Sequence, residues 1–167
     1  LRYTANGSDL RNDIQIMASS FSSPISGDPL EAEGIRFTCI LELAYGSGNL
    51  TITSTDPNVQ PQLNYNYFQE SRYLKRRREA VRKCIGFLEH PDYTDIVKNV
   101  LEPLPSDLES DDALDDWLKR SVTTSQHISG TCKMGPDSDP MAVVDQFCHV
   151  RGIKGLRVAD ASVMADC

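Results

Sequence analysis

Thr124-Ser125-Gln126-His127-Ile128-Ser129-Gly130-Thr131-Cys132-Lys133-Met134-Gly135 comes shortly after Ser110-Asp111-Asp112-Ala113-Leu114-Asp115-Asp116-Trp117-Leu118-Lys119-Arg120. The second stretch carries every mark of a helix. Ser110 is an N-cap residue, and Asp111 and Asp112 sit in the positive first turn. Leu114, Trp117 and Leu118 form the apolar stripe, and Lys119 and Arg120 sit at the negative end. The first stretch has neither the helical nor the strand period, yet it holds a histidine, two glycines and a cysteine. A capped helix thus opens into a chemically dense loop. Short apolar pieces follow, Ala142-Val143-Val144-Asp145 and Leu156-Arg157-Val158-Ala159-Asp160, which read as brief strands separated by turns.

Upstream, Asp13-Ile14-Gln15-Ile16 alternates as a short strand after a turn at Asn6-Gly7, and residues 21–34 read as a surface loop. Ile35 to Tyr45 is the clearest strand. Ile35, Phe37, Cys39, Leu41 and Leu43 share one face, and Arg36, Thr38 and Glu42 the other. Gly46-Ser47-Gly48-Asn49 predicts a hairpin turn that pairs this strand with Leu50-Thr51-Ile52-Thr53. An aromatic-rich connector from Leu63 to Phe68 leads to a long helix over about Glu70 to Leu88, ended by Pro91. Tyr93 to Val100 predicts a second, short helix. Strands, then helices, then strands again give an α+β class, an antiparallel sheet backed by helices.

The 167 residues are 40% hydrophobic and 25% charged, as in a globular domain with a real core. A formal charge of −7, from 24 acidic and 17 basic residues, argues against a general nucleic-acid-binding face. The local exception, Lys75-Arg76-Arg77-Arg78 with Arg82 and Lys83, reads as a solvated helix face or an intramolecular salt-bridge surface. The five cysteines are scattered, without Cys-x-x-Cys or Cys/His ligand spacing, so neither a metal site nor a disulfide framework is expected. That distribution makes a reducing compartment the default. No apolar run reaches the length of a membrane span.

The chemistry narrows to few residues. His90 stands at a helix end and His149 in a strand-like piece, both compatible with local roles. His127 lies in the hydroxyl-rich loop, where an imidazole with an ordinary pKa of about 6.5 can accept or donate a proton near neutrality. On local chemistry alone a catalytic role is the less favoured reading of it. Cys132 is either a nucleophile or a small packing residue, and no base stands beside it. Asp145 and Asp160 each end an apolar piece, where Asp either binds a ligand or caps the following turn.

His127-x-x-Gly130-Thr131-Cys132-Lys133-Met134-Gly135 is followed by Val143-Val144-Asp145. Next come Val150-x-Gly152-x-x-Gly155-Leu156-Arg157-Val158-Ala159-Asp160-Ala161-Ser162-Val163-Met164. This order resembles the C-terminal part of the glucose–methanol–choline (GMC) flavin oxidoreductases. Ser47-Gly48-Asn49-Leu50-Thr51-Ile52, Asp56-Pro57 and Asn64-Tyr65-Asn66-Tyr67-Phe68 resemble the family upstream, so the likeness runs over roughly residues 40–167.

The resemblance implies a two-domain FAD enzyme. Residues 1–136 would be an N-terminally truncated substrate-binding domain, and 137–167 a truncated return segment of the FAD-binding domain. It implies that His127 is the catalytic acid/base taking the hydroxyl proton of an alcohol while hydride passes to flavin N5. It places Asp160 and Ala161 along the cofactor. The implied partners are a small-molecule alcohol, an electron acceptor (oxygen or another), and the remainder of the same polypeptide, in the cytoplasm. The Gly-rich dinucleotide fingerprint is absent, and the family's second active-site residue would lie beyond Cys167. Ala165 stands where the family usually has Pro. The chain is therefore expected to be a fragment, inactive alone. A same-fold lyase or photodecarboxylase and a non-catalytic interaction module are the alternatives. His127 favours alcohol oxidation, because photodecarboxylases have Asn there.

Overall fold

The computed structural model describes residues 1–19 and 34–165, so most of the loop expected at 21–34 lies outside the described residues. The chain forms two compact units, Leu1–Gly46 with Asn66–Val122, and Ser47–Tyr65 with Thr123–Cys167.

The first unit is built on an antiparallel sheet of β1 (Arg2–Tyr3), β2 (Ile14–Ser19) and β3 (Arg36–Leu41), in the order β1-β2-β3. The period-two pattern decides its faces. Ile14 and Ile16 of β2 are buried with Ala5, and Phe37, Cys39 and Leu41 of β3 pack on the same cluster. Helix α1 (Ser71–Leu88) covers that face with Ala80 and Cys84. One position further round, Val81 meets Leu114 and Leu118 of α2 (Asp111–Ser121). Helix α1 is thus the middle layer, and each large buried aliphatic side chain contributes about 1.5–3 kcal/mol. Ser110 caps α2 as the sequence predicts, its Oγ accepting from the Ala113 N–H at 3.0 Å.

A buried ion pair pins the sheet to α1. Asp13 and Arg76 lie 2.8 Å apart, with side chains 0% and 6% exposed. Arg76 also donates to the carbonyls of Asp13 at 3.0 Å and Glu42 at 2.9 Å, and Asp13 accepts from the Ala5 N–H at 2.8 Å. Two further members of the basic run, Arg78 and Arg82, form an internal salt-bridge surface. Arg78 contacts Asp111 and Asp115, Arg82 pairs with Asp111, and Lys83 lies over the Tyr3 ring.

In the first unit two expected elements differ. Strand β3 does not pair with the strand after Gly46. Its register is with β2, Arg36 opposite Ser19 through Leu41 opposite Ile14. Leu43 adopts a left-handed φ of 55°, which ends the extended run before the glycines are reached. The helix expected over Tyr93–Val100 is only a 3-10 turn, Pro91–Tyr93, capped by His90, whose Nδ1 accepts from the Asp92 N–H.

In the second unit β4 (Asn49–Thr51) pairs antiparallel with β5 (Gln62–Asn64). Gly48 is required there, since a Cβ would come within 2.1 Å of the Asn64 carbonyl oxygen. The two C-terminal strand pieces pair only at single residues: Met134 with Val144, Val144 with Val150, and His149 with Arg157. Turns at Asp145–His149 and around Gly152 and Gly155 leave each piece too short for a ladder. Val144, fully buried, is the centre of this unit. Among the described residues no helix is long and apolar enough to cross a membrane.

Candidate functional site

The loop after α2 is shaped by its own side chains. The Thr124 Oγ1 accepts from the Gln126 N–H at 2.9 Å, and Gln126 takes a left-handed φ of 63°. The chain therefore reverses just before His127, whose side chain is exposed to solvent. A second reversal comes at Gly130, with φ of 78° and its carbonyl accepting from the Lys133 N–H at 3.2 Å.

From Gly130 onward the loop lies along the C-terminal turn. Gly130 N–H donates to the Ala161 carbonyl at 3.3 Å, Cys132 N–H to Ser162 at 2.9 Å, and Met134 N–H to Val163 at 2.9 Å. On the other side Val143 N–H donates to the Lys133 carbonyl at 2.9 Å, and Gly135 N–H to that of Val144 at 3.2 Å. The segment carrying His127 at its head is thus held between the Ala161–Val163 turn and the buried Val144 strip. Ion pairs brace it further: Lys133 with Asp139 at 2.8 Å, and Arg151 with Asp137. Lys133 holds the Asp139 carboxyl below the usual carboxylate range.

Asp160 and Ala161 begin the 3-10 turn Ala161–Val163, and both are exposed. Asp160 Oδ1 accepts from the Ser162 N–H at 2.8 Å and from the Ser162 hydroxyl. These bonds lower its pKa, the hydroxyl contributing most. Asp145 is also a turn cap. Its Oδ1 accepts from the N–H groups of Phe147 and His149, each at 2.9 Å, and its Oδ2 lies 3.1 Å from His149 Nδ1. For both Asp residues the capping function is therefore realised. Cys132 is half-buried and contributes its backbone N–H.

The structure therefore brings the His127 loop together with Asp160 and Ala161. The backbone ladder that does so has no signature in the side chains, and Gly130 was the only local hint of it. The Asp145–His149 contact was legible in principle as a pair four residues apart, but neither residue sits on a helix that would make that spacing meaningful.

The family model described as GMC oxidoreductase matches residues 44–167. The oxygen-dependent choline dehydrogenase of Photobacterium profundum is 39% identical over 116 residues, 70% of this chain and 20% of that protein. A crystal structure of formate oxidase matches with a TM-score of 0.70 and 29% identity, covering 84% of this chain and 25% of that one. Pyridoxine 4-oxidase from Mesorbium loti matches with a TM-score of 0.72 over 93% of this chain and 30% of that one. At 24% identity that likeness speaks to the fold alone. The chain spans about one fifth of the length of the curated relatives it matches. With the match covering the His127 loop and the Asp160 turn in one run, the chain belongs to the GMC oxidoreductase family.

Proposed function

We propose that this chain is the C-terminal part of an FAD-dependent oxidoreductase acting on the CH–OH group of a small alcohol, with His127 as its acid/base. The observation that carries this reading is the ladder from Gly130, Cys132 and Met134 to Ala161, Ser162 and Val163. It holds an exposed imidazole's loop against the segment assigned to the cofactor. In this proposal residues 1–136 belong to the substrate-binding domain and 137–167 to the FAD-binding domain, and the protein works in the cytoplasm.

The residues present fit such a cofactor. The Asp160 carboxylate is occupied at Oδ1 by Ser162, so the turn keeps its shape while Asp160 and Ala161 face solvent. Ile128 on the His127 loop and Met164 just after the Ala161–Val163 turn are each close to half exposed and leave apolar surface that a bound cofactor would cover. Bound FAD supplies the hydride acceptor. His127 supplies the proton chemistry. A neutral ring nitrogen takes the alcohol's hydroxyl proton, and a carbon bearing alkoxide character loses hydride more readily. The Thr124–Gln126 turn and the Gly130 reversal shape the loop that carries His127. The 167-residue segment alone is expected to be inactive.

The test is to purify the full-length polypeptide and record its spectrum without oxygen as choline and then other small alcohols are added. Oxidised-flavin bands that bleach with an alcohol support the reading. A colourless protein overturns it in favour of an interaction module, and a flavin that no alcohol reduces favours lyase or photochemical use of the fold.

A further inference from the structure

Cys39 in the middle of β3 and Cys84 near the end of α1 face each other with their Sγ atoms 3.4 Å apart. Both are free thiols. Neither belongs to the site around His127. Cys39 lies on the apolar face of its strand and Cys84 on the sheet-facing side of its helix, and only the packing of β3 on α1 makes them a pair.

The two thiols are not equivalent. Cys84 is 6% exposed and sits in the sheet–helix core, whereas Cys39 is more open. Two turns before Cys84 on the same helix, Arg77 donates from its guanidinium to the Cys39 carbonyl. The hydrogen bond between the two thiols draws the Cys39 pKa down, and the Arg77 charge adds to that effect. The same hydrogen bond pushes the Cys84 thiol up. Cys39, the more open of the two and the one beside the Arg77 guanidinium, is therefore the thiol placed to react as a thiolate, which is the reactive form.

We propose that Cys39 and Cys84 are a reversible redox pair, with Cys39 the thiol that reacts with a hydroperoxide and Cys84 the one that resolves it. The Cys39 thiolate attacks a peroxide oxygen. The O–O bond breaks, and with hydrogen peroxide hydroxide leaves and is protonated to water, giving Cys39 sulfenic acid. The Cys84 sulfur then attacks the Cys39 sulfur, forms the S–S bond and loses its proton, and a second water leaves. In sum, two thiols are oxidised to a disulfide, and one hydrogen peroxide is reduced to two waters. Closing the bond requires the sulfurs to approach to about 2.05 Å. A thiol reductant reverses it, as expected for a regulatory pair in a reducing compartment. The bond would tie β3 to α1 across a 45-residue separation that contains β4 and β5.

The test uses the full-length protein, reduced, freed of reductant and treated with stoichiometric hydrogen peroxide. Remaining thiols are then alkylated and the digest is analysed by mass spectrometry. The expected result is a peptide pair linked through Cys39 and Cys84, two hydrogens lighter than the dithiol and released by dithiothreitol. Cys84→Ser should accumulate a dimedone adduct at Cys39, and Cys39→Ser should leave Cys84 unoxidised. The oxidised protein should melt higher by about 5 °C or more, a shift absent in Cys39→Ser. Cys39 and Cys84 recovered as alkylated thiols while Cys132 or Cys148 is oxidised would overturn the proposal. A dimedone adduct on Cys84 in Cys39→Ser would overturn the assigned order of attack.

Discussion

Gly130 donates its backbone N–H to the carbonyl oxygen of Ala161 at 3.3 Å while holding a φ of 78°. That conformation costs a residue with a Cβ about 1–2 kcal/mol. Space is not the obstacle, because an added Cβ would meet the Met164 carbonyl oxygen at an ordinary 3.5 Å. If the proposed function holds, Gly130→Ala in the full-length polypeptide should therefore keep FAD and lower kcat by roughly 5–30-fold as the loop relaxes away from the Ala161 turn. Steady-state kinetics beside the flavin spectrum check this, and an unchanged kcat would show that the ladder does not position the loop.

His127→Ala should have a larger effect on the chemistry and none on folding. The side chain is exposed, so little packing is lost. Loss of a general base typically removes about 10²–10⁴-fold in rate. Stopped-flow measurement of flavin reduction by an alcohol should show that loss at normal cofactor content. Reduction at the original rate would take His127 out of the proton-transfer role.

Breaking the Asp13–Arg76 pair should damage the first unit. Both side chains are buried, and removing one leaves the other charge unpaired, at a cost of about 3–5 kcal/mol. Asp13→Ala also strands the Ala5 N–H. Thermal and urea unfolding should show the large loss for either single variant. A much smaller loss for Asp13→Ala with Arg76→Met together would confirm that the unpaired charge is the cause.

Asp145 gives a pH dependence with a defined sign. The His149 backbone N–H is the main cause that holds its carboxyl below the ordinary 3.8. Asp139 and Asp160 are shifted in the same direction by Lys133 and Ser162. A depressed folded-state pKa means that the stabilisation is complete above the unfolded value and is lost as pH falls through the lower folded one. Asp145→Asn keeps an acceptor for the turn and removes the charge. It should lower the melting temperature near pH 6, and the gap to the unaltered protein should shrink below about pH 4. A gap independent of pH would count against a role for the charge.

Local order was readable wherever one period dominated. The alternation of Phe37, Cys39 and Leu41 and the capped stripe of Asp111–Ser121 each state which face packs on the core, although Ile35 and Leu43, at the ends of the expected strand, are exposed. The order of motifs around His127 likewise marked the family without any coordinates. Partner choice was not readable. The glycines after Tyr45 suggested a hairpin, but a turn signal carries no record of which strand competes for the edge, and β2 claims β3 along its whole length.

Distance in sequence sets the remaining boundary. The chain's residues declare helix, strand and turn, and single out His127 as a candidate, since these depend on neighbours a few positions away. Three relationships needed the tertiary structure: Arg76 buried on Asp13, Cys39 against Cys84, and the His127 loop laddered to the Ala161–Val163 turn. Each joins residues far apart along the chain. Two of them rest on side chains meeting across elements and the third on backbone N–H and C=O groups that every sequence possesses, so only the folded path of the chain selects which ones meet.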